Sequence, residues 1–489
     1  MLKIIPGWQV KLLDANHIQT TGISSLELME RAAKGFVDWW NGKGFDHSAP
    51  VNIFCGAGNN GGDGFAIARL LDTSGFKVSV LKCFDESAKL SSDALVNFKL
   101  LPDGIRVMDW NEFDKSKDGI VVDAFLGVGL TGELRSTAKA IIQKINSFDG
   151  KVISVDIPSG LPSDDLLSGA CVRADFTVTF AFPKLSLLFP EHAAVTGELI
   201  LVDIGIADTE YDLFDSTSYY LRKEDVPFFH RKFHRFSHKG DFGKVLIVAG
   251  SEGKMGAAIL SCKAALRSGS GLVTALMPKS ERQIIQIAVP EAMCQFELPT
   301  DLSRFDAIGI GPGLGVMGKS ALLESIFHRF KNPMVIDADA LTILSENPDL
   351  VHLIPKGSIL TPHLKEFDRL LGDTSNHLAR LEKAADFCRS LELNLLIKGA
   401  NSVICLADGR QVFNSSGTPY MATGGSGDVL TGMLTSFLGQ GYSSANAMFC
   451  GVYHHGLAGE IAGEHYLRGT IASDLIDAIP ETFVQLGIS

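Results

Sequence analysis

The chain has 489 residues, enough for two to four domains at about 100–200 residues each. Its 44 Lys and Arg against 56 Asp and Glu leave a net charge of −12, which argues against a protein that neutralises phosphate backbones. Apolar runs are cut every few residues, so none approaches the ~18 residues of a membrane span, and the start MLKIIPGWQVKLLDANHIQ lacks the apolar stretch and cleavage site of a secretory signal.

The expectation is therefore a soluble cytoplasmic protein with neither a nucleic-acid nor a membrane partner. The eight cysteines (55, 83, 171, 262, 294, 388, 405, 450) show no CxxC and no metal spacing, and most sit in apolar context as small hydrophobes. Glycine is in excess, 50 residues, without a period or a low-complexity tract. Such an excess belongs in turns after strands, where backbone approaches a ligand.

In chain order, ISSLELMERAAKGFVDWW (23–40) has apolar residues at helical spacing and should cover a sheet. VNIFC (51–55), KVSVLKC (77–83), IVVDAF (120–125), KVISVD (151–156) and ELILVDIG (198–205) read as strands, with helical stretches mostly between them. Near-continuous Val and Ile runs mean strands buried on both faces, hence a parallel sheet between helices. The pattern fails between about 206 and 240, where DTEYDLFDSTSYY has no period and FFHRKFHRFSHKGDFG is basic. A second alternation follows: KVLIVAG (244–250), GLVTALM (271–277), FDAIGIG (305–311), PMVIDAD (333–339), GSILTPH (357–363), LNLLIKG (393–399) and SVICLADGRQVF (402–413). It closes in the helical region GDVLTGMLTSFLGQG and AMFCGVYHHGLAGEIAG. The fold class is α/β in both halves, with domains over 1–225 and 226–489.

After the first strand the chain reads CGAGNNGGDGF, and Gly56, Gly58 and Gly61 satisfy the dinucleotide pattern GxGxxG. Asn59, Asn60 and Asp63 crowd that helix start, however, and a carboxylate there repels a pyrophosphate. Asp63 is read either as a helix cap or as part of a polar ligand loop. Two further strands end in polar residues, Asp123 before AFLGVGLTGELR and Asp156 before Ile157-Pro158-Ser159-Gly160. Asn60, Asp123 and Ser159 are then oxygen ligands from three strand ends, with no His or Cys among them, a set suited to a hard cation.

GNNGGDGF, VDAFLGVGLTG and SVDIPSG together resemble the epimerase domain of the NAD(P)H-hydrate repair enzymes, a Rossmann-like fold. The resemblance implies interconversion of the R and S hydrates of the nicotinamide cofactors. It puts potassium on Asn60, Asp123 and Ser159. Substrate contacts fall on Asn59, Asn60, Gly61, Gly62 and Asp63, on Gly127, Val128, Gly129, Leu130, Thr131, Gly132 and Glu133, and on Asp156. A carboxylate at a strand end can exchange a proton with the hydrated ring, so Asp156 is the expected catalytic acid/base.

The second half contains two phosphate-type motifs. Gly313 to Ser320 is a literal GxxxxGK[ST], with PMVID (333–337) in place of the acidic strand of an NTPase. Pro312 removes an amide just before that loop, and a glycine-rich chain can match the pattern by chance. In PYMATGGSGDVLTGMLTSFLG (419–439), Gly424, Gly425 and Gly427 lead into a helix with Asp428 in its first turn. Free amides and a helix N-terminus make an anion pocket, beside which a carboxylate can take a proton from a hydroxyl that attacks phosphorus. GGSGD before an apolar helix resembles the ribokinase-like fold. With TPHLKEF (361–367), IKGANSV (397–403) and GPGLG (311–315), it resembles the ADP-dependent NAD(P)H-hydrate dehydratase family.

That resemblance implies an adenine nucleotide on Lys398, Gly399, Ala400, Asn401, Ser402 and Gly427. The S hydrate of NADH or NADPH would meet Ala257, Gly313, His363 and Asp428. Asp428 would be catalytic, helping the ring hydroxyl capture a phosphoryl group from ADP, with magnesium bridging the phosphates. Lys319 is then a surface or helix-face lysine. His363 is a substrate contact rather than a base. His230, His234 and His238 stand at i, i+4, i+8, but the Arg and Lys between them disfavour a metal, and His454–His455 reads as structural. The expected protein is a bifunctional repair enzyme, assembled as a homo-oligomer. The alternatives are a ribokinase-like kinase of a vitamin precursor, which leaves the first half unexplained, and a nucleotide-sensing scaffold, which the retained Asp428, Asp156 and Asp123 disfavour.

Overall fold

The computed structural model describes residues 1–114, 119–129 and 132–488. The chain divides into two compact units, Leu2–Ser216 and, together with Met1, the residues from Thr217 onward.

In the N-terminal unit, β1 (Val51–Cys55), β2 (Val78–Lys82), β3 (Arg106–Asp109), β4 (Ile120–Ala124), β5 (Lys151–Val155), β6 (Phe176–Phe180) and β7 (Glu198–Val202) form a parallel sheet in the order β3-β2-β1-β4-β5-β6-β7. Every residue of β4 is buried, as its unbroken IVVDA run requires of a central strand. Helices α1 (Val10–Thr21), α2 (Ser25–Lys43), α3 (Asn59–Thr73), α4 (Ser92–Lys99) and α5 (Ser136–Asn146) complete the unit. Helix α3 lies over the Ile53, Cys55 and Ala124 face, with Gly64 against those side chains. Helix α5 packs Ile141, Ile142 and Ile145 on the opposite face with Phe54, Leu81 and Val121. Helix α2 starts at a reciprocal cap between Ser24 and Glu27 and ends at left-handed Gly44. The strand order reverses between β1 and β4, which opens a crevice beyond their carboxyl ends.

The C-terminal unit orders β8 (Ser218–Leu221), β9 (Lys244–Val248), β10 (Leu272–Leu276), β11 (Met293–Gln295), β12 (Ala307–Ile310), β13 (Val335–Ile336), β14 (Ile359–Leu360), β15 (Asn394–Ile397), β16 (Val403–Cys405) and β17 (Gln411–Asn414) as β8-β17-β16-β15-β14-β13-β12-β9-β10-β11. All pairs are parallel except the two made by β16. The expected single strand over 402–413 is therefore a hairpin, because Asp408 and left-handed Gly409 turn the chain and Leu406 N–H donates to Arg410 C=O at 2.9 Å. Strands β3, β6, β8 and β11 were not legible as strands, because none is a continuous aliphatic run.

Here too the order reverses, between β9 and β12. Helices α6 (Met255–Arg267), α7 (Ser320–Arg329), α8 (Asp339–Glu346), α9 (Leu364–Leu371), α10 (Ser426–Gly439), α11 (Ser444–Tyr466) and α12 (Ala472–Gln485) flank the sheet. Helix α10 is buried at every residue from Val429 to Gly439. It packs on Val245 and Ile247 while α7 and α8 cover Leu246 and Val248 from the other side. Gly432 allows α10 to approach α6, since a Cβ there would lie 2.2 Å from the Ser261 carbonyl oxygen. Gly432→Val should destabilise this unit by about 1–3 kcal/mol through overpacking, read as a lowered denaturation midpoint with the N-terminal unit unchanged.

Candidate active sites

In the N-terminal unit, β1 runs through Gly56 into α3, whose first residues are Asn59 and Asn60. A Cβ on Gly56 would stand 2.0 Å from the Phe125 carbonyl oxygen, and one on Gly61 only 1.8 Å from that of Gly56, so the turn after β1 and the loop after β4 lie back to back. Asn60 Nδ2 donates to the Leu126 carbonyl at 2.9 Å. Ser159 Oγ accepts from Leu126 N–H at 2.8 Å and donates to Asp123 Oδ1 at 2.6 Å. The fully buried Asp123 also receives Ser154 Oγ at 2.9 Å and Ser159 N–H at 2.8 Å. Burial pushes its carboxyl up, against the pull of the Ser159, Ser154 and Phe125 donors.

The structure thus brings Asn60, Asp123 and Ser159 together around Leu126. With Asn60 Nδ2 engaged, its Oδ1 is the atom it offers a cation, and the set of one carboxylate, one amide oxygen and one hydroxyl fits a hard monovalent ion. Gly127 packs against Asn60, with a Cβ there 3.2 Å from Asn60 Cβ. Val128 rests on the cluster of Ile157, Leu161, Cys171 and Leu187. Gly129 and Glu133 are exposed and Gly132 is left-handed, while Leu130 and Thr131 lie outside the described residues.

Asp156 follows β5 at a φ of 67°, inside a γ-turn closed by Ile157 N–H to Val155 C=O at 2.8 Å. Its Oδ1 accepts from Thr179 Oγ at 3.1 Å, from Phe180 N–H at 3.2 Å and from the buried Lys184 ammonium. Asp63, on the first turns of α3, is pushed well above the usual carboxylate range by burial, then by Asp156 and Asp14. Lys184 and Asp14 were not singled out in the sequence. The signal for Lys184 was a lysine inside the apolar run AFPKLSLLF.

In the C-terminal unit, the carboxyl ends of β12, β13, β14 and β15 are neighbours and deliver Gly313, Asp337, His363 and Lys398. Lys398 Nζ donates to Asp337 Oδ1 at 2.6 Å, and Thr431 Oγ1 donates to Asp337 Oδ2 at 2.7 Å. Gly427 stands beside both, since a Cβ there would be 3.3 Å from Lys398 Nζ and 3.8 Å from Asp337 Oδ2. Asp339 accepts from Gly315 N–H at 2.8 Å, and Ser251 Oγ donates to the Gly313 carbonyl at 2.8 Å, which fixes the glycine loop. A Cβ on Gly313 would be 3.0 Å from that of Ala257, so these two expected contacts are adjacent. After Lys398, residues Gly399 to Ser402 form a tight turn, with Gly399 N–H to Ser402 Oγ at 3.2 Å and Ser402 Oγ to Gly399 C=O at 3.0 Å. Ala400 and Asn401 are its tip.

His363 caps α9: its Nδ1 accepts from Lys365 and Glu366 N–H at 3.1 and 3.2 Å, and its Nε2 lies 3.5 Å from Glu366 Oε1. Asp428, in the first turn of α10, is raised to about 6 by burial and by Asp337, with Lys398 opposing and Asp339 adding to the rise. His455 Nε2 lies 2.9 Å from the Ser426 carbonyl, so this ring steadies the start of α10, and burial holds it down at about 4, hence neutral. Asp337, Thr431 and His455 belong to the site although the sequence reading used PMVID only for the NTPase alternative. Lys319 immediately precedes α7, as a partly exposed lysine. His234 and His238 are exposed, while His230 pairs with the buried His454 at 2.9 Å.

The family described as NAD(P)H-hydrate dehydratase matches residues 245–481, and the one described as YjeF-related protein N-terminus matches residues 25–186. A bifunctional NAD(P)H-hydrate repair enzyme of Moorella thermoacetica is 35% identical, over 95% of this chain and 91% of its own length. The chain belongs to the bifunctional NAD(P)H-hydrate repair enzymes. The Escherichia coli member is 34% identical over 87% of this chain and 84% of its own. A ribokinase-like superfamily protein from Enterococcus faecalis superposes with a TM-score of 0.51 at 26% identity, covering 56% of this chain and 99% of that one. The C-terminal unit is thus ribokinase-like and the N-terminal unit Rossmann-like. No helix among the described residues is long and apolar enough to cross a membrane.

The raised carboxyl of Asp428 has two measurable consequences. Dehydratase kcat/KM should fall along an acid limb near pH 6, where this base takes up its proton. Asp428→Asn should lower turnover by at least about 10²-fold. The same variant should raise the melting temperature at pH 7, because a carboxyl raised on folding destabilises the folded state above its folded value and costs nothing below its unfolded one. The gain should vanish by about pH 4.

Proposed function

We propose that the N-terminal unit epimerises the R and S hydrates of NADH and NADPH, and that the C-terminal unit dehydrates the S hydrate at the expense of ADP. The observation that carries the second activity is Asp428 at the start of α10, beside the Lys398–Asp337 pair and the Gly399–Ser402 turn.

In this reading Lys398, Gly399, Ala400, Asn401, Ser402 and Gly427 hold the adenine nucleotide, and Ala257, Gly313, His363 and Asp428 hold the hydrate. Asp428 accepts the proton of the ring hydroxyl as its oxygen attacks the terminal phosphorus of ADP, releasing AMP. The phosphate ester then leaves with its bonding electron pair as inorganic phosphate, and loss of a ring proton restores the dihydronicotinamide. Magnesium would screen the phosphate charges when bound. The free amides of Gly425 and Gly427 at the start of α10 face developing negative charge.

For epimerisation, hydration of an enamine places the hydroxyl on the carbon that bears the ring nitrogen. That carbon is inverted when its bond to nitrogen opens to an aldehyde and recloses on the other face. A base takes the hydroxyl proton, the electron pair of the C–N bond moves to nitrogen, and an acid protonates that nitrogen. Asp156 is the base in this reading. Asn59 to Asp63 and Gly127 to Glu133 border the ring. Potassium would order the Asn60, Asp123 and Ser159 loops when bound. Location in the cytoplasm and assembly as a homo-oligomer through surface helices belong to the same reading.

The test is recovery of absorbance at 340 nm from mixed R and S NADH hydrate with ADP, magnesium and potassium. Conversion of both epimers faster than their spontaneous exchange is expected, and recovery of only one epimer would remove the N-terminal assignment. Asn60→Ala and Asp123→Asn should each lower epimerisation at least tenfold and flatten its potassium dependence. Equal wild-type rates with and without potassium would dispose of the cation site.

A further inference from the structure

Lys184 is only 2% exposed, and it lies among aspartates from three different elements of the N-terminal unit. Its ammonium donates to Asp156 Oδ1, to Thr179 Oγ1 at 3.1 Å and to the Phe180 carbonyl at 3.1 Å. Three donated bonds use all the hydrogens of an ammonium, so it is held by geometry as well as by charge. The segment that carries it is itself anchored: Ser186 N–H donates to Ser163 C=O at 3.0 Å, and His192 Nδ1 meets Ser186 C=O at 2.7 Å.

The backbone around it is unusual in two places. Asp156 and Ala181 both have a φ of 67°, and each centres a γ-turn, the second closed by Phe182 N–H to Phe180 C=O at 2.7 Å. These turns end neighbouring strands β5 and β6 and bring Asp156 and the Phe180 carbonyl to one ammonium. A non-glycine γ-turn of this hand costs free energy, and the Lys184 bonds hold it in place.

The charges facing this ammonium are Asp156, Asp63 at the start of α3, and Asp14 on α1; His17 adds to the field at Asp14 and Asp93 to that at Asp63. Helix α1 is tied down one turn further on, where His17 Nδ1 meets Glu210 Oε1 at 2.8 Å. Burial, with Asp156 adding to it, raises Asp14 to about 6, and Lys184 and His17 pull it back. The ammonium pulls the Asp14 and Asp63 carboxyls down against burial, and of the three carboxylates the one it is bonded to is Asp156. Opening the C–N bond of a hydrated ring needs a base held at the hydroxyl, and Asp156 is the carboxylate held there by bonds from Thr179, Phe180 and Lys184.

We propose that Lys184 is a positioning residue for epimerisation, which fixes Asp156 as the proton acceptor through an ammonium also bonded to Thr179 and the Phe180 carbonyl. Lys184 is too buried to touch the hydrate and acts through Asp156. The proposal rests on the reading of Asp156 as the base.

The experiment measures epimerase kcat and KM across pH 5 to 9 in the full-length protein, with dehydratase turnover as an internal reference. Lys184→Met should lower kcat at least tenfold with KM changed less than threefold, and move the acid limb of kcat upward by a pH unit or more. Lys184→Arg, which restores the charge, should return the limb to its wild-type position with part of the rate, and it decides the matter if the methionine variant does not fold. An unchanged limb in Lys184→Met, or in Lys184→Arg a limb displaced as far as a neutral residue would displace it, overturns the proposal. Full activity in Asp156→Asn would instead overturn the assignment of the base, and so separates the two failures.

Discussion

A strand covered by helices on both faces has no water to offer a polar side chain along its length, so the polar groups of such a sheet collect where the chain leaves it. Both units of this protein are organised by that constraint. Each contains a parallel sheet whose strand order reverses once, each opens a crevice at the reversal, and each fills the crevice with carboxylates that need partners. In one unit Asp123 is satisfied by Ser154 and Ser159, and Asp156 by Thr179 and Lys184. In the other Asp337 is satisfied by Lys398 and Thr431.

The partners divide the carboxylates into two kinds. Asp337 accepts from two good donors, Lys398 and Thr431, whereas Asp428 lies within its field and is lifted to about 6 by burial and by Asp337. That difference separates two nearby aspartates into one tied by bonds and one raised by its surroundings. The N-terminal unit repeats the arrangement with Asp156 tied to Lys184 and Asp14 left to titrate near 6. The two chemistries are unrelated, yet the electrostatic means is shared.

Much of this was legible in the sequence because the strand ends are marked by glycine. Gly56, Gly61 and Gly313 stand where a Cβ would strike backbone or a neighbouring side chain, and the motifs around them drew attention to Asn60, Asp63 and Gly427. The central strands were legible as aliphatic runs. Lys184, Asp14 and His455 were not, since each enters its site from a segment distant in sequence and none stands in a glycine-marked turn; Thr431, three residues after Asp428, was hidden in an apolar helix run. Asp337 was visible but attached to the wrong motif, because PMVID after GxxxxGK[ST] matches an NTPase pattern whose first half, in the fold, is the glycine loop held by Asp339. The chain's Phe-Thr alternation in β6 hid a strand whose threonines are buried and bonded, Thr177 to the Thr196 carbonyl and Thr179 to Asp156.

Helix α10 is the most deeply embedded of the helices that meet a site, and Asp428 sits on its first turn. This carboxylate therefore has no hinge of its own: its position is inherited from the packing of Gly432 on α6 and of Phe437 in the core. A loosened core anywhere along this helix would be read out at its far end as slower chemistry with normal binding. In such a design, drift in hydrophobic residues far from the ligands is screened by selection for turnover as much as by selection for folding.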